Sequence, residues 1–213
     1  MADVHPEIAA GLAAQLAARR AALETGARRV GWKLAYGIAE IEALVGDQPV
    51  IGHLTSATLI EPGGTYRVAH ADRALRVETE LAVEVGEDHA IAGLAVALEV
   101  VDVGRPPDGA RALVAANVLH RAVAFGAARP GAALPDGRAR LRIDGELHEE
   151  AAVRGDPARI VAATAAALHA VGERLESGDR ILAGSSCHVP AAPGDAVVAE
   201  IDGLGAVAVT IAA

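Results

Sequence analysis

The sequence predicts an α+β fold with a largely antiparallel or mixed sheet, for two reasons. One long helix pattern comes first, and the many strand patterns after it have few helices between them, unlike the regular alternation of a doubly wound fold. In addition, Asp144-Gly145 and Asp202-Gly203 each lie between two strand-like segments. Asp-Gly in that position is a strong hairpin signal.

The N-terminal helical segment is predicted over residues 6–26. Pro6 suits the first helical position, and Gly26 suits the C-terminal cap. Its apolar stripe consists of Leu12, Leu16 and Leu23. Arg19 and Arg20 are expected to point outward from this stripe.

The remaining elements follow from side-chain period, turn residues and caps. Strands are predicted over 28–35, 65–69, 74–86, 91–103 and 179–185, and hairpins over 139–150 and 195–212. Helices are predicted over 38–46, 106–123 (after an initial turn) and 156–175, the last with Asp156 as its N-cap. Residues 47–60 are predicted to form a loop. We expect residues 1–213 to form a single catalytic-type domain with a β-rich core over about 28–213.

Composition limits the classes of function. Hydrophobic residues make up 52% of the chain and aromatic residues only 2%, so the core must consist of Ala, Val, Leu and Ile. A net charge of −9 argues against a nucleic-acid partner, which would require a basic surface. No apolar run reaches transmembrane length, and no signal-peptide pattern is present. The single Cys187 cannot form an internal disulfide, so we expect a cytoplasmic protein without a membrane partner.

Three glutamates form the candidate metal site. Alternation along the strand over 74–86 places Glu78 and Glu80 on one face, and Glu99 interrupts the most apolar stretch of the chain. Three carboxylates suit Mg²⁺ or Mn²⁺. The alternatives are a solvated face that also includes Glu84, and a buried ion pair between Glu99 and an Arg or Lys.

Lys33 interrupts another apolar strand. It could bind an anionic substrate or transfer protons, or it could be a lysine at a sheet edge whose amine reaches solvent. Arg76 shares the face of Glu78 and Glu80, where pairing with a glutamate or solvation is favoured over substrate binding.

The chain resembles the 2-keto-4-pentenoate hydratase family, which belongs to the fumarylacetoacetate hydrolase superfamily and includes the oxalocrotonate decarboxylases. The resemblance runs from about Arg28 to the end of the chain. It rests on the ordered motifs GWKLAYG, GDQPVIGHL, LRVETELAVEVG, ALEVVD, SGDRILAGS and VPAAPGDAVVAEIDGLGAVAV.

The resemblance implies a β-rich mixed roll or barrel with an N-terminal helical region. It implies Mg²⁺ (or Mn²⁺) held by Glu78, Glu80 and Glu99, with Lys33 as the active-site lysine. The reaction would be that of a lyase, a hydratase or decarboxylase that acts on a small 2-oxo acid through a metal-stabilised enolate. A homo-oligomer is implied as well. The alternatives are an acylpyruvate-type C–C hydrolase and a catalytically weak homologue with a structural or binding role.

The sequence departs from the family pattern at two positions. The hydratases carry an acid directly after Asp-Gln-Pro, where this chain has Val50. They also carry a Ser shortly after an Asn, whereas here Asn117 is followed by Val118, Leu119 and His120. Histidines lie near both of these positions and could act as proton donors or acceptors in place of the missing acid and serine. We name His53 as the second catalytic candidate beside Lys33, with His120 and His188 as further replacements. The candidate substrate-binding residues are Ser185 and Asn117.

Overall fold

The computed structural model describes residues 4–46, 48–70, 72, 74–104, 107–134 and 136–213. Its strands are β1 (Arg29–Ala35), β2 (Val50–Thr55), β3 (Thr65–Arg67), β4 (Leu75–Val85), β5 (Ile91–Asp102), β6 (His120–Phe125), β7 (Arg129–Pro130), β8 (Arg138–Ile143), β9 (Glu146–Ala152), β10 (Arg180–Pro190), β11 (Ala196–Ile201) and β12 (Gly205–Ala212). Its helices are α1 (Pro6–Glu24), α2 (Ala39–Val45), α3 (Ala110–Ala115) and α4 (Pro157–Ala170), with a single 3₁₀ turn over Glu87–His89.

The strands form two mixed sheets. The larger sheet has the order β2-β1-β10-β4-β5-β6, with β7 also paired to β5, and the smaller has the order β3-β12-β11-β8-β9. Neighbouring strands are antiparallel except for the parallel pairs β1–β10 and β3–β12. The α+β class, the N-terminal helix and both Asp-Gly hairpins are therefore confirmed.

The main core lies between the two sheets, because β4 and β5 pack against β11 and β12. Apolar side chains of β4, such as Leu81 and Val83, join those of β8 and β11, such as Leu141 and Val197. Alternation along β4 sends its glutamates to the other face of the larger sheet. That face carries a second, smaller apolar cluster, so it is not a solvated surface.

Helix α1 buries the predicted face that carries Leu12 and Leu16, but this buried face also includes Gln15 and Arg19. The predicted outward position of Arg19 is wrong: the residue is only 4% exposed. Its guanidinium lies 4.5 Å from the centre of the Trp32 ring, and Nη1 lies 3.4 Å from Oε2 of Glu173. Arg19 follows the buried Gln15 by one helical turn, so it lies on the same face of the helix and its charge is paired instead of solvated.

Two other predicted elements are also corrected. The loop predicted over 47–60 contains β2, which pairs antiparallel with β1. Asp47, the first residue of that segment, lies outside the described residues, as does Pro106 at the start of the helix predicted over 106–123. That helix ends at Ala115, because Asn117, Val118 and Leu119 all have positive φ angles and lead directly into β6. Within the described residues, no helix is both long and apolar enough to cross a membrane.

Candidate metal centre and cleft

The pairing of β4 with β5 brings the three glutamates together. Glu78 lies directly opposite Glu99, and Glu80 follows two residues along the same face. One carboxylate oxygen from each residue lies within 4.8 Å of the other two. Glu80 and Glu99 are buried, and the Glu78 side chain is 14% exposed. The sheet therefore builds a half-enclosed cluster of three carboxylates.

The cluster is electrostatically unbalanced without a cation. Burial and the charge of Glu99 raise the pKa of Glu78 to about 7. Burial and the charges of Glu99 and Glu78 raise the pKa of Glu80 well above its usual range. Oε2 of Glu99 is buried and has no hydrogen-bond partner. A divalent cation would neutralise the charges and take up this oxygen, so the donor set fits Mg²⁺ or Mn²⁺.

Lys33 supplies part of the balancing charge. Its Nζ lies 2.5 Å from Oε1 of Glu99 and donates a second hydrogen bond to the carbonyl oxygen of Val118 at 3.3 Å. Burial alone would lower the pKa of Lys33, but the three nearby carboxylates outweigh burial and raise it. The sheet-edge alternative for Lys33 is wrong, since β1 lies between β2 and β10 and the residue is 4% exposed.

His120 is the second donor to Glu99. Its Nδ1 lies 2.7 Å from Oε1 of Glu99, and its Nε2 lies 2.9 Å from Oγ1 of Thr58. Burial lowers the pKa of His120 despite the neighbouring carboxylate, which favours the neutral ring. Burial would raise the pKa of Glu99, but Lys33 and His120 outweigh it and bring that pKa to about 2. Glu99 is therefore the member of the cluster that ionises most readily.

An irregularity in β10 brings main-chain and side-chain groups to the cluster. Register shifts between Leu182 and Ser185 accompany a positive φ of 97° at Gly184, whose N–H donates to Oε2 of Glu80 at 2.8 Å. A Cβ at Gly184 would lie 3.1 Å from the ring of Tyr36. A larger residue is therefore unfavourable at a position that holds one of the three carboxylates.

A cleft of about 1090 Å³ opens over the cluster. Glu78, Glu80 and Lys33 lie in its wall. Three other lining residues were named from the sequence, which are Leu119, Ser185 and His188, and Ser186 lies beside them in the wall. Nε2 of His188 lies 3.4 Å from Oε1 of Glu78.

The hydroxyls of the two cleft serines are already engaged. Ser185 donates to the carbonyl oxygen of Cys187, and Ser186 accepts from the backbone N–H of Arg154. The Arg76 guanidinium donates to the carbonyl oxygen of His188 at 3.4 Å, an exposed contact.

The cleft also contains residues that the sequence did not indicate. These are Tyr36, Glu149, Arg154, Asp156 and Arg159. Arg154 and Arg159 are exposed, and they bring two cations to the α4 side of the cleft. Asp156 had been identified only as the N-cap of α4, and its side chain does accept from the N–H groups of Ala158 and Arg159. These residues are distant in sequence from the glutamates and share no period with them, so no local pattern could have grouped them.

The structure does not bring His53 and Asn117 to the cleft wall. His53 pairs with Trp32 across β1 and β2, whereas Lys33 pairs with Gly52, so the His53 ring leaves the sheet on the face opposite Lys33. Burial lowers its pKa to about 4, and its Nδ1 has no partner. Asn117 uses its side-chain amide to bind the backbone N–H and carbonyl of His53, at 2.8 and 2.9 Å. Val50 is buried and does not line the cleft.

Comparison with known proteins agrees with this geometry. The family model described as "Fumarylacetoacetate (FAA) hydrolase C-terminal" matches residues 30–212. The chain belongs to this family. It is also 32% identical, over 203 residues, to a 4-oxalocrotonate decarboxylase from a Pseudomonas species, an alignment that covers 86% of this chain and 78% of the relative.

Solved structures share the fold. The 4-oxalocrotonate decarboxylase from Pseudomonas putida G7, complexed with magnesium and adipate, superposes with a TM-score of 0.84 at 23% identity, over 96% of this chain and 86% of that one. Fumarylpyruvate hydrolase from Pseudomonas aeruginosa, in complex with Mn²⁺ and pyruvate, gives a TM-score of 0.60 at 18% identity, over 87% and 89% of the two chains. The family-type fold predicted from the sequence is confirmed, and the family is one of enzymes with decarboxylase and hydrolase members.

Proposed function

We propose that the protein is a divalent-metal-dependent lyase that decarboxylates a small 2-oxo acid. The observation that carries this proposal is the buried cluster of Glu78, Glu80 and Glu99, with one carboxylate oxygen left without a partner. A divalent ion held there supplies a Lewis acid toward the carboxylate and 2-oxo group of the substrate. The 32% identity to a 4-oxalocrotonate decarboxylase favours decarboxylation over hydration.

The residues of the chain would do two things. The glutamates hold the ion at the wall of the cleft, where a short 2-oxo acid can enter. When carbon dioxide leaves from a second carboxylate, one that is β to the 2-oxo group or conjugated with it, the electron pair of the broken C–C bond passes to the 2-oxo oxygen, and a proton must then return to carbon. Lys33 keeps its Nζ protonated beside this site, because the carboxylates raise its pKa. Its buried ammonium can therefore bind the substrate or supply that proton.

Two departures from the hydratase pattern are consistent with this choice of reaction. Val50 stands where the hydratases have an acid, and the residues after Asn117, where they have a serine, are Val118, Leu119 and His120. Of these, only His120 is polar, and both of its ring nitrogens already contact Glu99 and Thr58. Adding water across a double bond requires polar groups that position and deprotonate it. Decarboxylation requires no such water. The predicted catalytic role of His53 is not carried into the proposal, because its ring lies on the opposite face of the sheet from Lys33.

The test is turnover with product analysis. Purified protein is assayed with 4-oxalocrotonate and shorter 2-oxo acids in Mg²⁺ or Mn²⁺, and again after chelation. Decarboxylation releases carbon dioxide, hydration gives a product one water heavier, and C–C hydrolysis gives two acids. We expect carbon dioxide release that disappears with chelator and in Glu99→Gln.

Glu84→Gln is the matched control, since Glu84 shares the strand face but not the cluster. This variant should keep activity. Metal-dependent hydration or hydrolysis would correct the reaction type, and no turnover of any 2-oxo acid would refute the enzyme proposal. The cytoplasmic location, the single catalytic domain and the homo-oligomer remain predictions.

A further inference from the structure

We propose that His120, held in place by Thr58, is a positioning residue that directs one oxygen of Glu99 toward the metal. This inference rests on the proposed function and concerns how this chain builds its metal site. The two carboxylate oxygens of Glu99 differ in their hydrogen bonds. Both Lys33 and His120 contact Oε1, at 2.5 and 2.7 Å, while the buried Oε2 has no partner. Two donors on one oxygen fix the rotation of the carboxylate and leave the other oxygen available to a cation.

Neutralising the charge of Glu99 does not by itself require His120. The ammonium of Lys33 already forms a buried ion pair with this carboxylate. A second donor on the same oxygen adds orientation, as hydrogen-bonding partners of metal-ligating side chains commonly do.

Glu99 and Thr58 contact the two ring nitrogens of His120. An ionised carboxylate only accepts, so Nδ1 donates to Glu99, and in a neutral ring Nε2 then accepts from the Thr58 hydroxyl at 2.9 Å. The same hydroxyl lies 3.3 Å from the carbonyl oxygen of Thr55, a longer contact. The backbone of Thr58 is itself fixed, because its carbonyl accepts from the N–H of Val123 on β6 at 2.9 Å.

A turn in the left-handed backbone conformation precedes His120 and fixes where the residue lies relative to Glu99. Asn117, Val118 and Leu119 have φ angles of 56°, 50° and 67°, a conformation that residues with a Cβ disfavour. The side chain of Asn117 holds the turn against the backbone of β2. The turn presents the carbonyl of Val118 to Lys33 and places His120 at the first position of β6. Both donors to Oε1 of Glu99 therefore contact or directly follow one strained segment, as is common where a site must be held rigidly.

The experiment compares four variants in metal binding. His120→Leu removes the donor, and His120→Asn keeps an N–H donor near the position of Nδ1. Thr58→Val removes only the hydroxyl, with almost no change of volume. Thr164→Val is the matched control, because Thr164 is fully buried and donates only within α4, to Ile160. The readouts are the Mn²⁺ dissociation constant, the electron paramagnetic resonance spectrum of bound Mn²⁺, and the ¹⁵N shifts of the His120 ring in the metal-free protein.

We expect His120→Leu to weaken Mn²⁺ binding by about 10- to 100-fold, with an altered spectrum, and His120→Asn to restore most of the loss. Thr58→Val should weaken binding by a smaller factor and shift the ring away from the Nδ1–H tautomer. Thr164→Val should bind as wild type does.

Wild-type affinity and spectrum in His120→Leu would overturn the inference while leaving the proposed function intact. So would equal losses in His120→Leu and His120→Asn, because packing alone would then explain both. Normal Mn²⁺ binding by the wild type without turnover refutes the proposed function and not the positioning role. A wild type that binds no divalent ion refutes both.

Discussion

Replacing Glu78 by Gln should change how the stability of the metal-free protein depends on pH. Glu78 is 14% exposed, and its pKa rises from 4.5 to about 7 in the folded state. The folded state therefore holds this proton more tightly than the unfolded chain does. Its contribution to stability is fully present below about pH 4.5 and is lost as pH rises through about 7.

The size of the effect follows from the pKa. At about 1.36 kcal/mol for each tenfold change in proton affinity, the interval from 4.5 to about 7 corresponds to on the order of 3 kcal/mol. Groups with lowered pKa, such as His53, change stability in the opposite sense over part of this range. The difference between wild type and Glu78→Gln at each pH removes the contribution of His53, whose pKa does not depend on Glu78. It retains the part of the Glu80 pKa shift that the charge of Glu78 causes, so it reports Glu78 together with that interaction.

The assay is urea unfolding with chelator present, at steps from pH 4 to pH 8. We expect the free energy of unfolding of wild type, relative to Glu78→Gln, to fall by about 3 kcal/mol as pH rises across this range. If the difference in unfolding free energy between the two proteins stayed constant with pH, the pKa of Glu78 would be the same in the folded and unfolded states. A difference that grows with pH would mean that Glu78 is stabilised as an anion by the protein itself, which contradicts the account of an unbalanced cluster.

Three other substitutions test the supporting contacts. Lys33→Met should destabilise the metal-free protein by about 3–5 kcal/mol, because it leaves the charge of Glu99 buried and unpaired; denaturant unfolding that shifts by less than 1 kcal/mol would contradict this. Asn117→Ala should cost about 1–3 kcal/mol by the same measurement, since two hydrogen bonds to β2 are lost, and unchanged stability would show that the turn does not need them. Gly184→Ala should cost about 1–3 kcal/mol and weaken Mn²⁺ binding, because its Cβ would press on Tyr36 and displace the N–H that holds Glu80. Unaltered affinity in calorimetry would show that the hydrogen bond from Gly184 to Glu80 does not contribute to metal binding.

The parts of the site carried by local pattern were predictable from the sequence. Alternation along β4 placed Glu78 and Glu80 together, and the apolar neighbours of Glu99 showed that it needs a partner. The pairing of Glu78 with Glu99 depends on the register of β4 against β5, which period alone does not determine. The sequence left open whether Glu99 is a metal ligand or one partner of a buried ion pair. In the structure its Oε1 is in a buried ion pair with Lys33, and its Oε2 is left without a partner and can bind a cation.

The incorrect or incomplete predictions have specific physical causes. The region around His53 was interpreted as a loop, so the alternation that turns its ring away from Lys33 could not be applied. Arg19 was placed outward because charged residues are usually solvated, yet Trp32 and Glu173 stabilise it under α1. The contact of His120 with Glu99 depends on a three-residue left-handed turn without glycine, which leaves no signature in the sequence.

The most direct test of the central claim is calorimetric titration of Mg²⁺ or Mn²⁺ into wild type, Glu99→Gln and the control Glu84→Gln, with and without oxalate as a mimic of the 2-oxo acid. The account predicts that wild type and Glu84→Gln bind the ion, that oxalate binds only when the ion is present, and that Glu99→Gln loses both. If wild type binds no divalent ion, Glu99 is only the buried partner of Lys33 and His120, and the proposal of a metal-dependent lyase is wrong.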